Sequence, residues 1–143
     1  MAIPGFREDG YLPVGLHKAT EIEVAERFAK SSALRMKLMA QLSRWLDLGR
    51  KVGVKRFLVD GSFVTAKSDP QDVDCVCWLP KDFEQQYEWG KYEAFRLRED
   101  IYRGEPKEIY PVFDDHQWND WVAFFGRTRE VDGRRKGLIE VLL

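Results

Sequence analysis

The chain has 143 residues, of which 44% are hydrophobic and 33% charged, and its net charge is −1. That length and balance describe one globular domain with a sizeable core and exclude a disordered chain. The near-zero charge excludes binding to nucleic acid through overall charge and leaves room only for a local patch.

The first 17 residues are rich in Gly and Pro and are expected to run extended over the surface. They carry Arg7, Glu8 and Asp9 and lack the apolar centre of a secretory signal. No apolar run reaches the roughly 20 residues that span a bilayer, so a cytoplasmic protein without a membrane partner is expected. Thr20 with Glu23 forms a capping-box pattern opening a helix with Ile22, Val24, Ala25 and Phe28. Ser31 or Ser32 caps a second helix, whose Leu34, Leu38, Leu42 and Trp45 make an apolar stripe and which Gly53 stops. VKRFLVD (54–60) and VDCVCWL (73–79) read as strands. Residues 82–103 read as helical, EIYPVF (108–113) as a third strand, and DDHQWNDWVAFFG as a short helix stopped by Gly126. RTREVDGRRKGLIEVLL resembles a hairpin with Asp132-Gly133 at its turn. The order gives an α/β or α+β domain with a mixed sheet. Residues 1–53 supply the arm and two helices, 54–113 the strands that carry the chemistry, and 114–143 a helix and a hairpin.

Alternation along the second strand puts Asp72, Asp74, Val76 and Trp78 on one face and Val73, Cys75, Cys77 and Leu79 on the other, which is the expected core face. Two carboxylates at one strand end repel each other and form a hard oxygen site suited to Mg²⁺ completed by substrate phosphates. Gly61-Ser62 closes the preceding strand, where glycine permits close backbone approach and a serine can hold phosphate oxygens. A carboxylate pair beside a phosphate-gripping turn is the minimum set for phosphoryl or nucleotidyl transfer. Glu108 is the best candidate for a third acid, ahead of Asp114 and Asp115 at the far end of its strand. Lys67, in the loop between Ser62 and Asp72, is a candidate phosphate contact, set against an ordinary solvated lysine.

Gly61-Ser62, then nine residues, then Asp72-Val73-Asp74 leading an apolar strand resembles the signature of the DNA polymerase beta-type nucleotidyltransferase superfamily. The whole chain also resembles an uncharacterised bacterial family of small nucleotidyltransferase-like proteins, through LPVGLH (12–17), DGSFVTAK (60–67) and RRKGLIEV (134–141). The superfamily resemblance implies a small mixed sheet with helices packed on one face, Mg²⁺ or Mn²⁺, and a nucleoside triphosphate donor. It implies that Gly61 and Ser62 contact the triphosphate, that Asp72 and Asp74 bind metal, and that Glu108 orients or deprotonates an acceptor hydroxyl. Glu108 departs from the pattern, since aspartate is commoner at that place. The acceptor implied is a hydroxyl of a protein, an RNA or a small molecule. The competing expectation is an inactive binding module, such as one half of a toxin–antitoxin or phage-defence pair, working beside a protein partner.

Other residues have blander expectations. Cys75 and Cys77 face the core and are expected as apolar packing rather than as zinc ligands with His17 and His116. His17 is expected to hold a turn and His116 to sit at the surface. Trp118 and Trp121, at helical spacing, are expected in the core or an interface rather than as a base-stacking platform. Arg127, Arg129, Arg134, Arg135 and Lys136 outnumber Glu130 and Asp132, and are expected at solvated hairpin tips; the alternative is a patch for a triphosphate or an RNA backbone.

Overall fold

The computed structural model describes residues 3–104 and 107–143. It has five strands and five helices: β1 (Gly15–Thr20), α1 (Glu21–Phe28), α2 (Ala33–Val52), β2 (Phe57–Asp60), β3 (Asp74–Trp78), α3 (Phe83–Glu88), α4 (Tyr92–Arg103), β4 (Ile109–Val112), α5 (Asp115–Phe125) and β5 (Gly137–Leu142). The strands form one mixed sheet in the order β1-β5-β2-β3-β4. β1 runs parallel to β5 and β4 parallel to β3, while β2 is antiparallel to both β5 and β3.

Local chemistry sets the element ends. Thr20 accepts from the Glu23 backbone N–H at 3.1 Å, and Glu23 accepts in return from the Thr20 N–H at 2.9 Å, completing the capping box. Of the two serines, Ser32 caps α2. Gly53, at φ 88°, ends α2 in the left-handed region that favours glycine. The single helix expected over 82–103 is broken in two, because Gly90 at φ 82° turns the chain between α3 and α4. Pro111 is tolerated within β4 because that strand lies at the sheet edge. The Gly- and Pro-rich start also holds a strand: β1 adds to the opposite edge, with Leu12 buried just before it. The hairpin shrinks to a turn closed by one bridge between Arg127 and Arg135, after which the chain enters β5.

Four helices pack on the sheet face that carries Phe57, Val59, Cys75, Cys77, Ile139 and Val141. Both cysteines are fully buried there, and burial pushes the Cys77 thiol up to about 12. The opposite face is half covered. α5 lies across it and buries Trp118 and Phe125 against Leu58, Val76, Val112 and Leu138. What α5 leaves open is the sheet end where β2 stops and β3, β4 and β5 start.

Candidate acidic cleft

Asp60, the last residue of β2, pairs directly with Asp74, the first of β3. Between them the chain makes a loop, pinned by Ser62 and Asp72. The backbone N–H of Ser62 donates to the Asp72 carboxylate at 2.9 Å, and the Ser62 hydroxyl donates to the same oxygen. The Ser62 oxygen in turn accepts from the backbone N–H groups of Gln71 and Asp72 at 2.9 and 3.2 Å. Gly61 is required here. It sits at φ 93°, and a Cβ on it would lie 2.8 Å from the Asp72 carbonyl oxygen. A second pin holds the loop from below. The buried Arg35 guanidinium donates to the carbonyls of Phe28, Phe63, Thr65 and Lys67 at 3.1, 2.7, 2.7 and 2.6 Å.

The carboxylates perturb one another. Burial first, then the neighbouring Asp72, raise the Asp74 carboxyl to about 8, with Asp60 and Glu108 adding to the effect. Asp74 therefore keeps its proton at neutral pH and donates it to Asp72. Asp72 is held below its usual range: burial opposes this, but the bonds from Asp74 and Ser62 outweigh it. Asp60 is buried, which raises its carboxyl, and the Lys136 ammonium bonds it in opposition. Glu108 lies just before the Cys75–Ile109 pair of β3 and β4, beside Asp74. Burial and then the Asp72 charge raise its carboxyl, while a bond from the Val73 N–H lowers it.

The three aspartates face a cavity of about 980 Å³. Asp60, Asp72 and Asp74 line its floor, Lys67, Arg127 and Arg129 stand around it, and Phe124 and Phe125 form one wall. Arg127 donates to the Gly133 carbonyl at 3.2 Å. Arg129 is exposed, and its charge reaches Asp72.

The expected site residues therefore converge in part. Gly61, Ser62, Lys67, Asp72 and Asp74 line the cavity, and Glu108 stands beside Asp74 without lining it. The serine departs from a phosphate grip: its hydroxyl and N–H are spent on Asp72 and the loop. Lys136 departs from a solvated tip and is buried against Asp60, whereas Arg134 stays outside, bonded to Asp132. Asp60 was not expected in the site at all; its position opposite Asp74 was the signal, legible once the two strands are paired. Of the histidines, His17 bonds the Pro13 carbonyl oxygen at 2.7 Å and His116 is exposed near Asp120.

Among the described residues, no group of three or more His, Cys, Asp or Glu side chains is arranged to hold a metal ion. The donor set at Asp72 and Asp74 nevertheless fits a hard cation. Two carboxylates share one proton at a site rimmed by cavity, so a divalent ion can replace that proton and take its remaining ligands from a substrate.

The fold and cleft together define a mixed αβ protein with an acidic centre ringed by cations. The chain belongs to DUF6932, a family of unknown function, whose profile matches residues 4–142. No curated protein and no solved structure matches it. None of the described helices is long and apolar enough to cross a membrane.

Proposed function

We propose that the protein is a Mg²⁺- or Mn²⁺-dependent nucleotidyltransferase, moving a nucleoside monophosphate from a nucleoside triphosphate to a hydroxyl acceptor, with the bond between the α- and β-phosphates broken and pyrophosphate leaving. The observation that carries this reading is the placing of Asp72 and Asp74 together in the lining of a cavity that Lys67, Arg127 and Arg129 also line. Acids in the centre with cations around them suit a polyphosphate that arrives with its metal. Asp72 and Asp74 would hold the metal, which supplies charge neutralisation at the phosphoryl oxygens and alignment of the attacking hydroxyl. Lys67, Arg127 and Arg129 would bind and orient the phosphate oxygens. Glu108 stands beside Asp74 outside the cavity lining, and would take the proton only of an acceptor hydroxyl that approaches along the start of β4. Lys136 neutralises Asp60 beneath the pair, so the floor carries less charge than three carboxylates imply.

One observation favours the second reading, a binding module without turnover. The Ser62 hydroxyl bonds only within its own loop and is not left for a triphosphate. Calorimetric titration with each nucleoside triphosphate, with and without Mg²⁺, separates the two. The transferase reading requires metal-dependent binding that disappears in Asp72→Asn/Asp74→Asn, followed by label transfer to an acceptor. Binding that is unchanged in the double variant assigns the cleft to something other than metal–nucleotide chemistry.

A further inference from the structure

An aromatic strip leaves the cavity and crosses the β4 edge of the sheet. Phe124, on the cavity wall and 66% exposed, meets Trp121 edge-on at 5.9 Å between ring centres. Trp121 lies 4.5 Å from Tyr110 of β4. The Lys107 ammonium stands 5.6 Å from the Tyr110 ring and 5.9 Å from that of Tyr102, which is 51% exposed at the end of α4. Two exposed rings, Phe124 and Tyr102, thus flank the packed Trp121–Tyr110 pair and the Lys107 cation.

The strip meets the acidic cleft at Phe124 and passes close to it at Tyr110, which pairs with Val76 of β3, two residues on from Asp74. Phe124 lines the cavity beside Arg127 and Arg129. At Tyr110, burial and then the charge of Asp74 hold the hydroxyl above its usual pKa, with Arg129 opposing. Packing on the second core accounts for Trp121 and Tyr110, but not for Phe124 and Tyr102, which spend much of their ring area on water. Exposed rings interleaved with cations match the two faces of a flexible polyanion that carries bases. A duplex, whose bases are stacked inside, offers no ring face to such a strip.

We propose that the strip Phe124–Trp121–Tyr110–Lys107–Tyr102 binds single-stranded nucleic acid and leads its end to the acidic cleft. Bases stack on the exposed rings, and Lys107, Arg127 and Arg129 meet the phosphates. Binding of the strand stands on the strip itself; its role as the acceptor rests on the transferase reading above.

The test is fluorescence anisotropy of the full chain with labelled 12-nucleotide oligo(A) and oligo(U), and with an RNA duplex of equal length. Three phosphate contacts predict a slope of about −2 in log affinity against log salt, from roughly 0.7 per contact on single strands. Phe124→Ala and Tyr102→Ala should each weaken oligonucleotide binding about tenfold, the loss expected for one stacked base. Lys107→Glu keeps every ring, and should weaken binding and flatten the salt slope. None of the Tyr102 and Lys107 variants should alter titration with a nucleoside triphosphate. Oligonucleotide binding equal in wild type and variants, equal affinity for the duplex, or no strand binding by a folded chain would each overturn the proposal. So would a concentration-dependent dimer abolished by Tyr102→Ser, which assigns the strip to a contact between two copies. Loss of triphosphate binding with strand binding intact sinks only the transferase reading.

Discussion

Lys136 and Asp60 meet beneath the cleft as a buried ion pair, joining the residue before β5 to the last residue of β2. Both side chains are more than nine-tenths buried, and Asp74 lies directly across from Asp60. The ammonium is what allows three carboxylates to share one sheet end. Lys136→Met should therefore cost about 3–5 kcal/mol, the range for stranding one member of a buried pair. Lys136→Met/Asp60→Asn should recover most of that loss. Urea unfolding of the three proteins checks this, and equal stability of the single and double variants would refute it.

Acidity near the pair also gives stability a pH dependence with a definite sign. Asp74 is raised to about 8, and Glu108 is raised as well, each chiefly by burial. Between pH 4 and 8 the folded chain therefore binds protons that the unfolded chain has released. Stability falls as pH rises through that window and levels above it. Thermal midpoints from pH 5 to 9 should decline for the wild type and decline less for Asp74→Asn, which keeps the neutral form. A wild-type midpoint that climbs with pH over this range contradicts the assignment.

The loop over the floor depends on Arg35. Four carbonyls converge on one guanidinium, an arrangement that the three donors of a lysine ammonium cannot reproduce. Arg35→Lys should cost about 2 kcal/mol, of the order of one lost charged hydrogen bond with its unpaired partner. The amides of Thr65 and Ala66 should exchange faster with solvent water, while those of β2 and β3 should not change. Uniform acceleration across the sheet would mean that the residue supports the whole core instead.

Gly61 allows a narrower prediction. Its φ of 93° penalises a side chain, and so does the Asp72 carbonyl oxygen, which would stand 2.8 Å from any Cβ added there. Gly61→Ala should cost about 2–3 kcal/mol through strain and displacement of the Asp72 loop. Differential scanning calorimetry measures the loss, and an unchanged midpoint would show that the loop relaxes freely.

Much of this was legible in the sequence wherever the signal was local. The capping box at Thr20 and Glu23, the stop at Gly53 and the strand around Cys75 and Cys77 depend on neighbours a few residues apart, and all three lie where the spacing puts them. The mixed αβ class followed from their order. Lys136 was illegible for the opposite reason. In the sequence it stands among arginines beside a turn, and only the insertion of β5 between β1 and β2 turns it inward to Asp60. β1 was hidden similarly: a glycine- and histidine-bearing edge strand has little alternation, and its strand partner, β5, lies more than a hundred residues on, with Gly15 facing Gly137. Trp121 shows a different limit. Helical spacing groups it with Trp118, yet Trp118 is fully buried whereas Trp121 is only partly so and extends to Tyr110 and Phe124. Spacing assigns a face, but not how much of that face α5 leaves uncovered.

The place of β5 also bears on how the protein comes into being. β1 is made early, but among the described residues its one neighbour in the sheet is β5, and β2 likewise lacks one flank until that strand exists. During synthesis the early segments can form α1, α2 and the β2–β3 pair, and must then wait with an unpaired edge until residues 137–142 emerge. The cleft waits too, since Lys136 arrives with that same segment. A nascent chain should thus hold Asp60 and Asp74 without their cation, and the acidic centre should become habitable only in the closing step of folding.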